Sequence, residues 1–136
     1  MPTDTFADSE DDEPCHRFQN PSGLSLYKNI TKPEQIMLLA AVAYRNRTFR
    51  EIVSTKEYGI HVRNERYGLE RRLAWRNTNK LLWKGWEGIK TGTTENAGPC
   101  LIGKIDNYLI GVFNCGGHQK RFNEAILIHE ILRKTI

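Results

Sequence analysis

The last third of the chain constrains the fold more tightly than any other stretch. Three short apolar runs, Ile89–Thr93, Cys100–Lys104 and Tyr108–Asn114, succeed one another with few residues between them. Asp106-Asn107 joins the second to the third as a tight hairpin turn. Gly116-Gly117 then breaks the chain. From Arg121 to Lys134, the residues Phe122, Ala125, Ile126, Ile128, His129 and Leu132 fall at helical spacing, and Arg133 and Lys134 complement the C-terminal dipole. A short antiparallel sheet closed by a terminal helix is the expected outcome.

Upstream, Thr31-Lys32-Pro33-Glu34 reads as a helix start. Thr31 is the expected cap, Glu34 its capping-box partner, and Pro33 fits the first turn. Ile36, Met37, Leu39, Ala40 and Ala43 carry the helical pattern to about Asn46, and Phe49 to Ser54 suit a short second helix. The charged, alternating stretch Tyr58–Asn77 around Tyr67-Gly68 predicts an exposed hairpin. The whole order is helix, hairpin, three antiparallel strands, terminal helix: an α/β (α+β) arrangement with helices layered on a sheet.

Residues 1–16 form an acidic tail with almost nothing apolar, expected to be disordered, so the folded domain is placed at 17–136. Six acids and no base lie between Asp4 and Glu13, whereas residues 45–90 carry twelve Lys or Arg against five Glu. Such a basic segment, interleaved with Trp75, Trp83 and Trp86, suits either nucleic acid or another anionic ligand such as a peptide carboxylate. A solvated basic face with inward-turned aromatics is the ordinary reading, and no nucleic-acid partner is expected. No apolar run approaches a membrane span, and the acidic N-terminus has no signal-peptide pattern, so nothing in the sequence is expected to export this chain. The compartment stays open. Cys15, Cys100 and Cys115 are too scattered for a disulfide scaffold. Cys115 and His118 have a metal-ligand gap, but structural zinc needs four ligands in paired spacings, so neither metal nor cofactor is expected. Cys100 and Cys115 are expected as small buried hydrophobes, His129 as a packed, hydrogen-bonded histidine, His61 and His118 as exposed, and Trp83 and Trp86 as core.

Lys90-Thr91-Gly92-Thr93 is the stretch richest in chemistry. On a strand, Lys90 supplies a fixed positive charge and Thr91 a hydroxyl for an anionic carboxylate. Gly92 lets the backbone approach a substrate closely, and the Thr93 N–H is an oxyanion donor. These four are the candidate substrate-binding residues. Lys-Thr-Gly is also one of the signatures of the penicillin-recognising serine enzymes.

The surroundings strengthen that signature. Phe18-x-Asn20-Pro21-Ser22-Gly23-Leu24, Phe49-Arg50-Glu51-Ile52-Val53-Ser54-Thr55-Lys56-Glu57-Tyr58, Asn77-Thr78-Asn79-Lys80-Leu81-Leu82-Trp83, Gly88 to Thr94, Ala97-Gly98 and Cys100-Leu101-Ile102 follow in order. Together they resemble the low-molecular-weight penicillin-binding proteins, the D-Ala-D-Ala carboxypeptidases, over about residues 18–136. The resemblance implies part of the penicillin-binding-protein/β-lactamase-like fold. It also implies removal of the terminal D-alanine from peptidoglycan stem peptides through an acyl-serine, with β-lactams as covalent inhibitors and Lys90, Thr91 and Thr93 binding the substrate carboxylate and oxyanion.

That reaction also needs a Ser-x-x-Lys and a Ser-x-Asn, which the family carries upstream of the Phe-x-Asn-Pro loop. Here only the acidic tail precedes Phe18. Ser25-Leu26-Tyr27-Lys28 and Tyr44-Arg45-Asn46 match by letter, but Ser25 sits beside a turn, and fifteen residues between Lys28 and Tyr44 are too few for a helical subdomain. No catalytic residue is therefore identified. The expectation is a chain inactive alone, with first strands and nucleophile helix missing and the run Tyr108–Asn114 left as an open edge for another chain to complete. A non-catalytic module that binds D-Ala-D-Ala-terminated peptides is the alternative, and a basic nucleic-acid-binding domain a lesser one.

Overall fold

The computed structural model describes residues 18–24 and 29–135. The expected acidic tail and the Ser25–Lys28 match fall outside the described residues. Helix α1 spans Pro33–Ala43. Pro33 disfavours helical geometry at the residue before it, so Lys32 is extended (φ −92°, ψ 149°) and takes the cap position. The expected capping box does not form: the Thr31 hydroxyl bonds the Lys32 carbonyl instead. The helix also stops earlier than its apolar pattern suggests. Asn46 is extended, and its Oδ1 accepts from the Phe49 N–H (3.0 Å), starting α2 at Arg47–Ser54. A strong N-cap outweighs continued periodicity there.

Strands β1 (Glu57–Asn64) and β2 (Leu69–Arg76) pair only with each other, as the expected exposed hairpin. Its turn contains Gly68 in the left-handed region, and the Asn64 side chain accepts from the N–H groups of Arg66 and Tyr67. A 3-10 turn, Lys80–Lys84, follows. At five residues it is too short to leave a periodic signature.

Strands β3 (Ile89–Thr94), β4 (Gly98–Ile105) and β5 (Tyr108–Val112) form an antiparallel sheet in that order, so β3 and β5 are its edges. Cross-strand partners share a face, which fixes which side each residue serves. Leu101 pairs Thr91 and Val112. That face packs against helix α3 (Lys120–Thr135) through Phe122 and Ala125, with Leu81, Trp86 and Ile110 in the same cluster. Ile102 lies on the opposite face, with Ala40, Met37, Phe49 and Val53 of α1 and α2. The sheet thus has helices on both sides. Among the described residues no helix is long and apolar enough to cross a membrane.

The sheet closes on α3 at two points. Trp86 lies so close to Gly103 that a Cβ there would sit 2.5 Å from the indole ring, so only glycine fits. His129 is buried edge-on to Trp86 and Tyr108, and its Nε2 is 2.9 Å from Asp106 Oδ2 in the β4–β5 turn. Cys115 is buried and Cys100 half-buried; His61 and His118 are exposed. Trp86 is core as expected, whereas Trp83 is 40% exposed, with the Arg76 guanidinium 4.7 Å over its ring.

Two acids in this framework are held neutral above their ordinary range. Burial, and then the Glu87 carboxylate that accepts the Tyr44 hydroxyl at 2.7 Å, push Tyr44 up to about 12. Burial, and then Glu124, push the Cys115 thiol up to about 11. The unfolded chain releases these protons at lower pH than the folded one, so stability is full below about pH 9 and is lost as pH rises toward about 12. Urea midpoints measured across that window should fall steadily, and Tyr44→Phe combined with Cys115→Ala should flatten the decline.

Candidate functional site

The Asn-Thr-Asn run ahead of the 3-10 turn is a bracket that ties three elements together. Asn77 Nδ2 donates to the Thr55 carbonyl at the end of α2 (2.9 Å), and its Oδ1 accepts from the Asn79 N–H (2.9 Å). The Thr78 and Thr91 hydroxyls lie 2.6 Å apart, linking the run to β3. Asn79 is 2% exposed; its Nδ2 donates to the Gly88 carbonyl (2.9 Å) and its Oδ1 accepts from the Leu81 N–H (3.1 Å). Each amide uses both of its ends, as a buried amide must. The start of β3 is consequently fixed from outside the sheet.

The far end of β3 is fixed from α3. Arg121 is 7% exposed, and its Nη1 donates to the Gly92 carbonyl (3.1 Å), the Thr93 hydroxyl (3.1 Å) and the Cys100 carbonyl (3.3 Å). Its Nε has no partner among the described residues. The guanidinium therefore sits directly beneath the strand's last turn of chemistry, with donor capacity left over.

Between these anchors the four sequence-predicted residues are consecutive on β3, but they do not share a face. Thr91 and Thr93 pair with Leu101 and Pro99 on the α3 side, whereas Lys90 and Gly92 pair with Ile102 and Cys100 on the other. Lys90 is exposed; its Nζ bonds the Thr91 carbonyl, and among the described residues it joins no ion pair. Gly92 and Thr93 are exposed, but Thr91 is 7% exposed and its hydroxyl is engaged by Thr78. Nothing lies within 4 Å of a Cβ built on Gly92, so its bareness leaves open space above the strand. The His118 Nδ1 stands 3.5 Å from the Thr93 hydroxyl. The resulting edge presents an ammonium, bare backbone and a hydroxyl backed by a guanidinium. Chemically, this is an arrangement for an anionic group, above all a carboxylate.

The two groups of the Tyr44-Arg45-Asn46 match are committed elsewhere. Asn46 caps α2, and the Tyr44 hydroxyl donates to Glu87. A surface depression of about 460 Å³ lies along the hairpin, lined by residues such as Tyr58, Arg72, Trp75 and Arg76; it arises where Gly59 faces Ala74 and is not at the β3 edge. Arg121, Thr78 and Asn79, which support β3, are not among the residues that the sequence singles out as candidates. Arg121 did leave a signal: a cation in the first turn of a helix opposes the dipole and calls for a specific partner.

A family model described as D-alanyl-D-alanine carboxypeptidase matches residues 15–111. A D-alanyl-D-alanine carboxypeptidase of Streptomyces sp. (strain K15) is 32% identical over 87 residues, covering 62% of this chain and 30% of that protein. Among solved structures, the Streptomyces K15 DD-transpeptidase matches with a TM-score of 0.67 at 29% identity, over 75% of this chain and 41% of the other. Penicillin-binding protein D2 of Listeria monocytogenes, solved in its cefotaxime-bound form, matches with a TM-score of 0.65 at 25% identity, over 85% and 47% respectively. The chain thus spans less than half the length of each of these relatives.

The Arg121 anchor carries its own test. In Arg121→Leu the Gly92 and Cys100 carbonyls lose a charged donor, which should cost about 2–4 kcal/mol of unfolding stability by urea denaturation. A loss below about 0.5 kcal/mol, the scale of an ordinary surface change, would remove Arg121 from the framework.

Proposed function

The chain belongs to the D-alanyl-D-alanine carboxypeptidase family, and from that premise we propose that it supplies the substrate-carboxylate rim of such an enzyme. Residues 17–136 are the C-terminal portion of the peptidase domain in this reading. Lys90 gives the long-range charge that draws the substrate's terminal carboxylate to the edge of β3. Thr93 donates to that carboxylate from the opposite face of the strand, and Gly92 between them lets the peptide lie against backbone. The Thr93 N–H takes the oxygen on which negative charge develops during acyl transfer. Thr91 contributes through its link to Thr78, which orients the strand. The ligand class is a peptide ending in D-Ala-D-Ala, or a β-lactam that mimics it.

The observation that carries this reading is the support given to β3. A strand whose start is held by Asn79 and whose end is held by a buried guanidinium is preorganised for binding, so that little free energy is spent in ordering it.

Acyl transfer needs more than this rim. A nucleophile must lie within hydrogen-bond reach of a base, and the Tyr44 and Asn46 groups support structure rather than catalysis. The reading therefore assigns this chain the binding half of the reaction, with the nucleophile contributed from elsewhere and the β5 edge as the natural place of attachment for the remaining sheet. Taken alone, the chain binds without turnover.

Two measurements on the purified chain check this. Fluorescent penicillin should leave no covalent label; a labelled band mapping to Ser25 would show a complete site. Titration with N-acetyl-D-alanyl-D-alanine, followed by amide chemical shifts, should saturate in the millimolar range, with shifts centred on residues 90–93 and lost in Lys90→Ala. Shifts scattered over the hairpin, or no saturation, would contradict the assignment.

A further inference from the structure

We propose that His118 is a proton-operated switch on the Thr93 hydroxyl, making the rim hold a carboxylate more tightly when the imidazole is protonated. The inference rests on the reading of residues 90–93 as a carboxylate site and adds to it a residue with a defined role. His118 lies in the segment between β5 and α3, and its Nδ1 is 3.5 Å from Thr93 Oγ1. Arg121 Nη1 is 3.1 Å from the same oxygen.

A hydroxyl has one proton to give and two lone pairs to receive with. Arg121 has no acceptor, so it fills one lone pair whatever the pH. When the neutral imidazole carries its proton on Nε2, Nδ1 is bare and draws the Thr93 proton to itself, and the hydroxyl has nothing left to offer outward. When the ring is protonated, Nδ1–H donates into the second lone pair. The hydroxyl's own proton is then released toward the open side of the strand, where Gly92 leaves space. The same proton adds a positive charge at the rim. Both effects favour an incoming carboxylate, so affinity should rise as pH falls through the imidazole range.

The other charged and titratable groups on the surrounding elements do not compete for this role. Lys90 stands on β3, Glu95 in the β3–β4 turn, Lys120, Arg121 and Glu124 on α3, and Lys80 on the 3-10 turn, where its Nζ donates to Gln119 Oε1 (3.2 Å). Glu124 is occupied by Lys120 (3.6 Å) and by the Cys115 thiol (3.1 Å), and that thiol, pushed up to about 11 chiefly by burial, stays neutral. His129 is engaged with Asp106 at the opposite end of the sheet. Histidine is the side-chain type whose ordinary charge change falls between pH 5 and 8.

The test is the affinity of the full chain for N-acetyl-D-alanyl-D-alanine at about pH 5.5 and about pH 8, either side of the ordinary imidazole range near 6.5. Binding should be about three- to tenfold tighter at the lower pH, the worth of one added charge-assisted hydrogen bond. His118→Gln keeps a hydrogen-bonding side chain but should flatten the profile, and Thr93→Val should flatten it as well. Saturable, Lys90-dependent binding that is equal at both pH values, or a pH dependence that survives in His118→Gln, overturns this inference and leaves the rim reading standing. Absence of saturable binding at both pH values overturns the rim reading, and this inference with it.

Discussion

Strand β3 depends on two sets of hydrogen bonds from side chains outside the sheet. At its start, the buried Asn79 amide holds the Gly88 carbonyl while capping the following 3-10 turn. At its end, the Arg121 guanidinium holds the Gly92 and Cys100 carbonyls together. An edge strand of six residues has only one strand neighbour to define it, and such strands readily slip or fray. Anchoring from α3 and from the Asn77–Asn79 run removes that freedom. The packing of Trp86 on Gly103 depends on the same register, because Gly103 is the cross-strand partner of Ile89 at the start of β3.

The carboxylate rim proposed above lies at the edge of the sheet rather than within a cavity. Alternation along β3 sends Lys90 and Gly92 to one face and Thr91 and Thr93 to the other, so the proposed rim draws on both faces. The chain spans less than half the length of its matched relatives. Helix α1 accordingly carries exposed Leu38, Leu39 and Val42, and α3 exposed Leu127 and Ile131. Those are surfaces of the kind that a larger domain buries.

Much of this arrangement was legible in the sequence because it follows from local chemistry. The apolar runs, the Asp106 turn and the Gly116-Gly117 break fix three strands and a terminal helix, and the Lys90–Thr93 run stands out by residue type. What was not legible depended on long-range placement. Helix α1 ends before its apolar pattern does because Asn46 caps the next helix, a contest between two local signals that periodicity does not weigh. The 3-10 turn was too short to announce itself. The burial of Thr91 against Thr78, thirteen residues away, follows from a fold-level meeting of two segments. Arg121 reaches β3 from 28 or 29 residues downstream, and only its awkward position in a helix N-terminus hinted at a partner.

Native-state amide hydrogen exchange tests most directly whether β3 is held as firmly as these contacts imply. The β3 amides bonded to β4 should exchange with the same opening free energy as the core amides of α3, as one cooperative unit. If β3 amides exchange at the rate of an open chain while α3 stays protected, the strand is not preorganised and the binding rim loses its foundation.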